Sequence, residues 1–173
     1  MRIAVVFLLA VVLDWGCSTN KAPDTQPARL GDLTYEIPAG WRHFDTMTPR
    51  SASSEWTPAQ NSRRESVDVI RTELSPRLAR AGRAAIEDVL LSAQRGLHNA
   101  KVSRISGLTS PYGLVGAQVE VDYTPQGLDR TYHRIHVVLF DGANKVVHIL
   151  YTAEDPQFDA ISIVLNSIHH EEA

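Results

Sequence analysis

RTYHRIHVVLFDGANKVVHILYT, from Arg130 to Thr152, is the stretch whose reading decides the fold. β-Branched and aromatic residues fill both arms, no proline interrupts either, and Gly142 and Asn144 tolerate the positive φ of a tight turn. The pattern predicts a hairpin turning at Asp141-Gly142-Ala143-Asn144. With Phe140 opposite Lys145, one face carries Ile135, Val137, Leu139, Val146 and Leu150, and the other carries Val138, Phe140, Val147, Ile149 and Tyr151. Both faces are apolar. A sheet wetted on one side alternates apolar with polar, so these strands belong in the middle of a sheet covered on both sides.

Outward from the hairpin, the covers and remaining strands follow in order. Leu33 to Ile37 alternates as a strand that Pro38-Ala39-Gly40 ends, since proline cannot donate to a ladder. Trp41 and Phe44 are expected to cover an edge of the core, and a Ser/Thr/Pro-rich run from Thr46 to Arg64 holds Trp56 in a short strand-like SEWT. Ser66 to Leu74 reads as a strand. Ser75-Pro76 is a helix-entry signal, but Gly82 weakens the first turns, so the main helix is placed from about Arg80 to Leu97 with the stripe Ile86, Val89, Leu90, Ala93 and Leu97. Val102 to Leu108 and Val115 to Tyr123 are further strands around a Ser110-Pro111-Tyr112-Gly113 turn. After the hairpin, Asp155 reads as an N-cap and Pro156 as the first residue of a last helix, whose face is Phe158, Ile161, Val164, Leu165 and Ile168.

The 173 residues, 43% hydrophobic with a formal charge of −3, fit one globular domain behind a leader. So small a charge gives no reason to expect nucleic acid. Met1 to Gly16 reads as a signal peptide: Arg2 precedes an apolar run, Ile3 to Leu13, too short to cross a hydrocarbon core of about 30 Å. The segment ends in Gly16-Cys17 and resembles the lipobox of bacterial lipoproteins, although Asp14 stands where an aliphatic residue is usual. That resemblance implies lipidation of Cys17, the sole cysteine, and attachment to the membrane through the acyl chains. Ser18, where an Asp would retain an enterobacterial lipoprotein in the inner membrane, implies the outer membrane facing the periplasm. Residues 17 to 32 are polar and read as a flexible tether, leaving residues 33 to 170 as the domain.

Strands, helix, strands, helix, together with Ile37-Pro38-Ala39-Gly40-Trp41, the strand pair around Asp141-Gly142, and a closing F-x-x-I-x-x-x-L-x-S-I helix, resemble the PsbP-like superfamily. It includes the photosystem II extrinsic protein P and the DcrB-type and LpqN-type lipoproteins. The resemblance implies an α+β fold, an antiparallel sheet flanked by helices on both faces, and a member that binds or assembles other proteins and is not an enzyme.

No motif contradicts this. G-x-S-x-G, H-E-x-x-H, G-x-x-x-x-G-K and G-x-G-x-x-G are absent, and no cofactor is expected. His133 and His136, three apart, point to opposite faces of a strand. His136 and His148 also part company in the pairing above, although a one-residue bulge in the turn would unite them. His169 and His170 fall at a terminus expected to fray, so no metal site is assigned. Arg77, Arg80 and Arg83 crowd a helix start, where the backbone dipole disfavours positive charge. With Trp41 and Trp56 they are the candidate partner contacts, an envelope protein being the expected partner. The alternatives are a small lipid or glycan held between sheet and helix, which requires a dry apolar pocket, and a hydrolase, which requires a nucleophile against a base.

Overall fold

The computed structural model describes residues 24–60, 64–142, 144–157 and 159–171, without the side chain of Arg83. Two antiparallel sheets lie face to face. The smaller joins β1 (Thr25–Leu30), β2 (Leu33–Pro38) and β11 (His169–His170) in the order β1-β2-β11. The larger has eight strands: β3 (Trp41–Thr48), β4 (Ser51–Pro58), β5 (Ser66–Glu73), β10 (Lys145–Ala153), β9 (Tyr132–Phe140), β8 (Val115–Tyr123) and β6 (Lys101–Val102) in that spatial order, with β7 (Ser106–Thr109) also on β8. The predicted hairpin, β9-β10, sits inside it.

Its register differs from the expected one. Asp141 N–H donates to the Lys145 carbonyl at 2.9 Å, so the loop is residues 142 to 144 and Val146 lies opposite Phe140. One face of the ribbon buries Ile135, Val137, Leu139, Val147, Ile149, Tyr151 and Ala153 against the small sheet, with His133 and Lys145 half-buried at its ends. On the other, Tyr132, His136, Val138 and Val146 are buried, while Arg134, His148, Leu150 and Thr152 are half-buried.

The covers are of two kinds. α2 (Arg83–Gln94) lays Ile86 and Leu90 on β8 and β9. α3 (Asp159–Ser167) shares the opposite side with the small sheet, burying Ala160, Ile161 and Val164, with Ile168 just beyond its end. The α+β arrangement, an antiparallel sheet flanked by helices, is therefore the one the patterning requires.

Several boundaries move. Thr25–Leu30 is a strand, so the tether read over residues 17 to 32 is too long: Ala28 and Leu30 are buried and pair with β2. The Ser/Thr/Pro-rich run is the β3-β4 hairpin, turning at residues 49 and 50, where Thr48 Oγ1 accepts from Ser51 N–H at 3.0 Å. Phe44 is 72% exposed and covers nothing. The helix announced by Ser75 does form, as α1 (Pro76–Ala81), with Ser75 Oγ accepting from Leu78 N–H. Gly82, at φ 57°, then breaks it from α2, which ends at Gln94 and leaves Ala93 exposed. The last helix, α3, begins at Asp159, later than the expected start at Asp155-Pro156, and Gln157 ahead of it is bonded to the Tyr151 hydroxyl through both its N–H and its carbonyl.

An ionic clamp joins the two sheets. Arg71 of β5, 15% exposed, pairs with both Asp32 in the β1-β2 turn and Asp141 at the end of β9. His170 adds contacts of 2.5 Å to Asp141 and 3.4 Å to Asp32. The Arg71 guanidinium holds the Asp32 carboxyl down at about 2. The terminal histidines are thus ordered as β11.

Candidate functional site

The β1-β2 hairpin turns at Gly31, φ 68°, and alternation then sends Leu33, Tyr35 and Ile37 inward, leaving Thr34 half-buried and Glu36 exposed. α3 lies along this strand. Ser167 Oγ accepts from the Glu36 backbone N–H at 2.8 Å and donates to the Ile163 carbonyl at 2.7 Å, locking helix to strand. From across the molecule the β7-β8 turn delivers Tyr112, whose ring stacks on His169 at 4.6 Å. That imidazole is held at both nitrogens: Nδ1–H donates to the Ser167 carbonyl at 2.6 Å, so Nε2 accepts from the Thr34 hydroxyl at 3.0 Å. Tyr112 is 58% exposed yet seated on a pinned ring.

Two open depressions, of about 500 and 380 Å³, adjoin here and share Glu36, Tyr112 and Ser167. Asp159, Ser162 and Asn166 of α3 extend the first; Arg29, Thr34 and Glu171 extend the second, where Arg29 and Glu171 form an ion pair. The result is one groove of mixed polar and apolar lining with an aromatic ring at its middle. Such a surface can take an extended segment of another molecule. Sequence reasoning assigned Tyr112 only to a turn; an aromatic at the tip of Ser-Pro-Tyr-Gly was the available signal.

The residues singled out beforehand lie elsewhere. Trp56 is 6% exposed, with its indole N–H donating to the Tyr35 hydroxyl at 3.0 Å between the sheets, so it is no surface contact. Trp41 is half-buried against the same core, and its carbonyl accepts from Gln26 at 2.8 Å. Arg77 and Arg80 are exposed on α1, where Arg80 Nε donates to the Pro76 carbonyl at 3.1 Å. Arg83 opens α2. Cys17 and the leader are outside the described residues.

The observed register unites His136 and His148. Gln94 Nε2 donates to the Leu90 carbonyl at 3.2 Å and to His136 Nδ1 at 3.0 Å, which leaves the His136 proton on Nε2, donating to His148 Nδ1 at 3.1 Å. Burial first, then His148 and Arg134, pushes His136 down to about 3, and burial lowers His148 as well. The lone pairs of His136 Nδ1 and His148 Nδ1 are therefore both engaged by hydrogen bonds. Among the described residues no group of three His, Cys, Asp or Glu side chains comes together to hold a metal ion. Nor, among them, is any helix long and apolar enough to cross a membrane.

The solved structures share this architecture. The solution structure of the cyanobacterial PsbP (CyanoP) of Synechocystis sp. PCC 6803 matches with TM-score 0.56 at 16% identity, covering 90% of this chain and 97% of that one. The fold is PsbP-like. The Ran-binding protein Mog1p of Saccharomyces cerevisiae matches with TM-score 0.52 at 14% identity, covering 86% of this chain and 96% of that one. LpqN of Mycobacterium tuberculosis, described as involved in cell envelope biogenesis, matches with TM-score 0.48 at 16% identity over 84% of this chain and 89% of that one. At that score it is too distant to bear on this chain. No family model and no curated protein sequence matches. With identities this low, the PsbP-like likeness is one of fold alone.

Proposed function

We propose that this chain is a non-enzymatic PsbP-like domain, lipid-anchored at Cys17 and facing the periplasm from the outer membrane, that binds or helps assemble another envelope protein. The observation that carries the binding role is Tyr112, an exposed ring pre-seated on His169 at the middle of a groove of mixed lining. Rigid aromatics of this kind concentrate binding energy, because little side-chain freedom is lost on contact. Mog1p, of the same fold, is described as Ran-binding, which supports a protein partner. The lipobox-like end at Gly16-Cys17 supports the location. Arg77, Arg80 and Arg83, on and after the solvent-facing α1, are a second candidate contact, suited to an acidic surface.

The ligand-binding alternative needs a dry apolar pocket between sheet and helix, and the two larger depressions beside α3 are open to solvent. An apolar cleft between α2 and the sheet, lined by Ile86, Leu108, Val115 and Phe140, holds about 220 Å³, below the roughly 300 to 1,000 Å³ of ordinary small-molecule pockets. The hydrolase alternative meets a hydroxyl–imidazole pair in Thr34 and His169. Its Nδ1–H is oriented by a backbone carbonyl and its Nε2 faces the hydroxyl, as a general base would be. The structural reading is favoured because His169 and Thr34 are direct partners in the β11–β2 ladder and Tyr112 stacks on the ring.

Cross-linking in cells tests the reading. A photo-reactive residue at position 112 of the full chain is expected to capture a specific envelope protein, with capture lost in Glu36→Arg and Asn166→Arg variants that melt like wild type. Cys17→Ala is expected to leave the membrane fraction. Capture indifferent to the groove substitutions overturns the binding site, and a Cys17→Ala protein still sedimenting with membranes overturns the anchor.

A further inference from the structure

The two margins of the eight-stranded sheet are built differently. On one side it finishes in the two-residue β6 and the four-residue β7, both laid on β8. On the other, among the described residues, it finishes in β3, eight residues long and paired with β4 without a bulge from Trp41↔Pro58 to Thr48↔Ser51. Protein edges are normally blunted by proline, lysine, a bulge or a covering element, because a bare edge offers unpaired N–H and C=O groups to any strand. β3 has no proline, no lysine and no bulge, and Arg42 through Thr48 are all exposed. It also carries the two most exposed large apolar side chains among the described residues, Phe44 at 72% and Met47 at 77%.

We infer that β3 is a self-pairing edge through which two copies of this chain join their large sheets. The argument is the order Trp41-Arg42-His43-Phe44-Asp45-Thr46-Met47, read against itself in the antiparallel sense. A two-fold axis perpendicular to the sheet at Phe44 sets Phe44 opposite Phe44. It also sets His43 opposite Asp45 of the second copy, Arg42 opposite Thr46 and Trp41 opposite Met47. Each of the last three contacts occurs twice, as a two-fold interface requires. Like faces stay on one side of the joined sheet, because paired positions are an even number of residues apart. Moving the axis to Asp45 opposes the two Asp45 carboxylates; moving it to His43 places Phe44 against Arg42 and Asp45 against Trp41. The register centred on Phe44 matches aromatic with aromatic and apolar with apolar, and sets each Asp45, which already accepts from Ser54 in its own chain, beside a histidine ring that can donate to it. An edge contact is at the small end of interface sizes, so the dimer is expected to depend on concentration.

Disulfide trapping of the full chain in membranes tests this, with wild type, whose sole cysteine is Cys17, as background. Phe44→Cys is expected to give a covalent dimer on mild oxidation. Thr46→Cys is expected to give several-fold less, because the two copies of that position stand four residues apart along the paired strands. In the Phe44→Cys background, His43→Asp is expected to reduce trapping several-fold by opposing two carboxylates, and adding Asp45→His is expected to restore it. Thermal melts confirm that each variant folds. The inference is overturned if Phe44→Cys yields no dimer above wild type, if Thr46→Cys traps equally well, if the double exchange fails to rescue, or if the adduct at position 44 is with a different protein.

Discussion

Gly116 stands where β8 passes closest to β9, and a Cβ built there would lie 1.9 Å from the Val138 carbonyl oxygen and 2.9 Å from Leu139 Cα. The obstruction is backbone in a central strand, which cannot swing aside as a side-chain tip would. Gly116→Ala is therefore expected to destabilise by about 1 to 3 kcal/mol, each kcal/mol lowering the melting temperature by about 2 to 4 °C. A variant melting with wild type would contradict the close approach. The buried titratable groups set a second expectation. The fold keeps His136 neutral down to about 3, whereas in the unfolded chain it takes up a proton near 6.5. His148 is displaced in the same direction. Their contribution is complete above about pH 6.5 and is lost as pH falls, since the unfolded state then binds more protons. Asp68 acts oppositely: burial, then repulsion from Glu55, pushes it up to about 6 from 3.8, so its ionised form costs stability above pH 6 and that cost fades as pH falls. Asp68→Asn should thus melt higher than wild type at about pH 7.5, the gain shrinking towards about pH 4.5. Melts across that range test both: a destabilised Asp68→Asn at neutral pH would refute the second, and an Asp68→Asn protein, in which the opposing carboxylate term is gone, whose stability does not fall towards about pH 4.5 would refute the first.

At the scale of elements, α3 is a cover that the sheet cannot lose. Ala160, Ile161, Val164 and the following Ile168 are all buried against β2 and the central strands. The larger of these side chains are each worth about 1.5 to 3 kcal/mol, against a net stability of about 5 to 15 kcal/mol. A chain ending before Phe158 is expected to be unfolded by circular dichroism; a soluble fragment with a cooperative melt would contradict this. The elements also show where periodicity succeeds. β8, from Val115 to Tyr123, lies where its alternation places it, because Val119, Val121 and Tyr123 turn to the core under α2 while Glu120 and Asp122 turn to solvent. β3 and β4 escaped recognition for the opposite reason. Ser, Thr and Pro resemble loop composition, and an outer hairpin has little apolar burial with which to declare its period: Ser54 and Trp56 are the buried residues of β4, and Trp41 of β3 is only half-buried.

Over the whole molecule, the doubly apolar ribbon from Arg130 to Thr152 was enough to specify a central antiparallel hairpin with covers on both sides, because hydrophobic burial acts on composition and spacing whatever the neighbours are. The sole cysteine, Cys17, is likewise a property of the chain alone. Three matters were settled only in three dimensions. The loop of residues 142 to 144 moved the register by one residue, which changed the faces shared across the pair and brought His136 to His148. The second sheet recruited Thr25–Leu30 and His169–His170 from segments with too little periodicity of their own, through ladder bonds to β2 and the Arg71 clamp. The groove joins Tyr112 to Thr34 and His169, residues distant in sequence whose meeting depends on how turn, strand and helix pack. Local pattern carries the period of each element, but it holds no record of which loop will close over which strand.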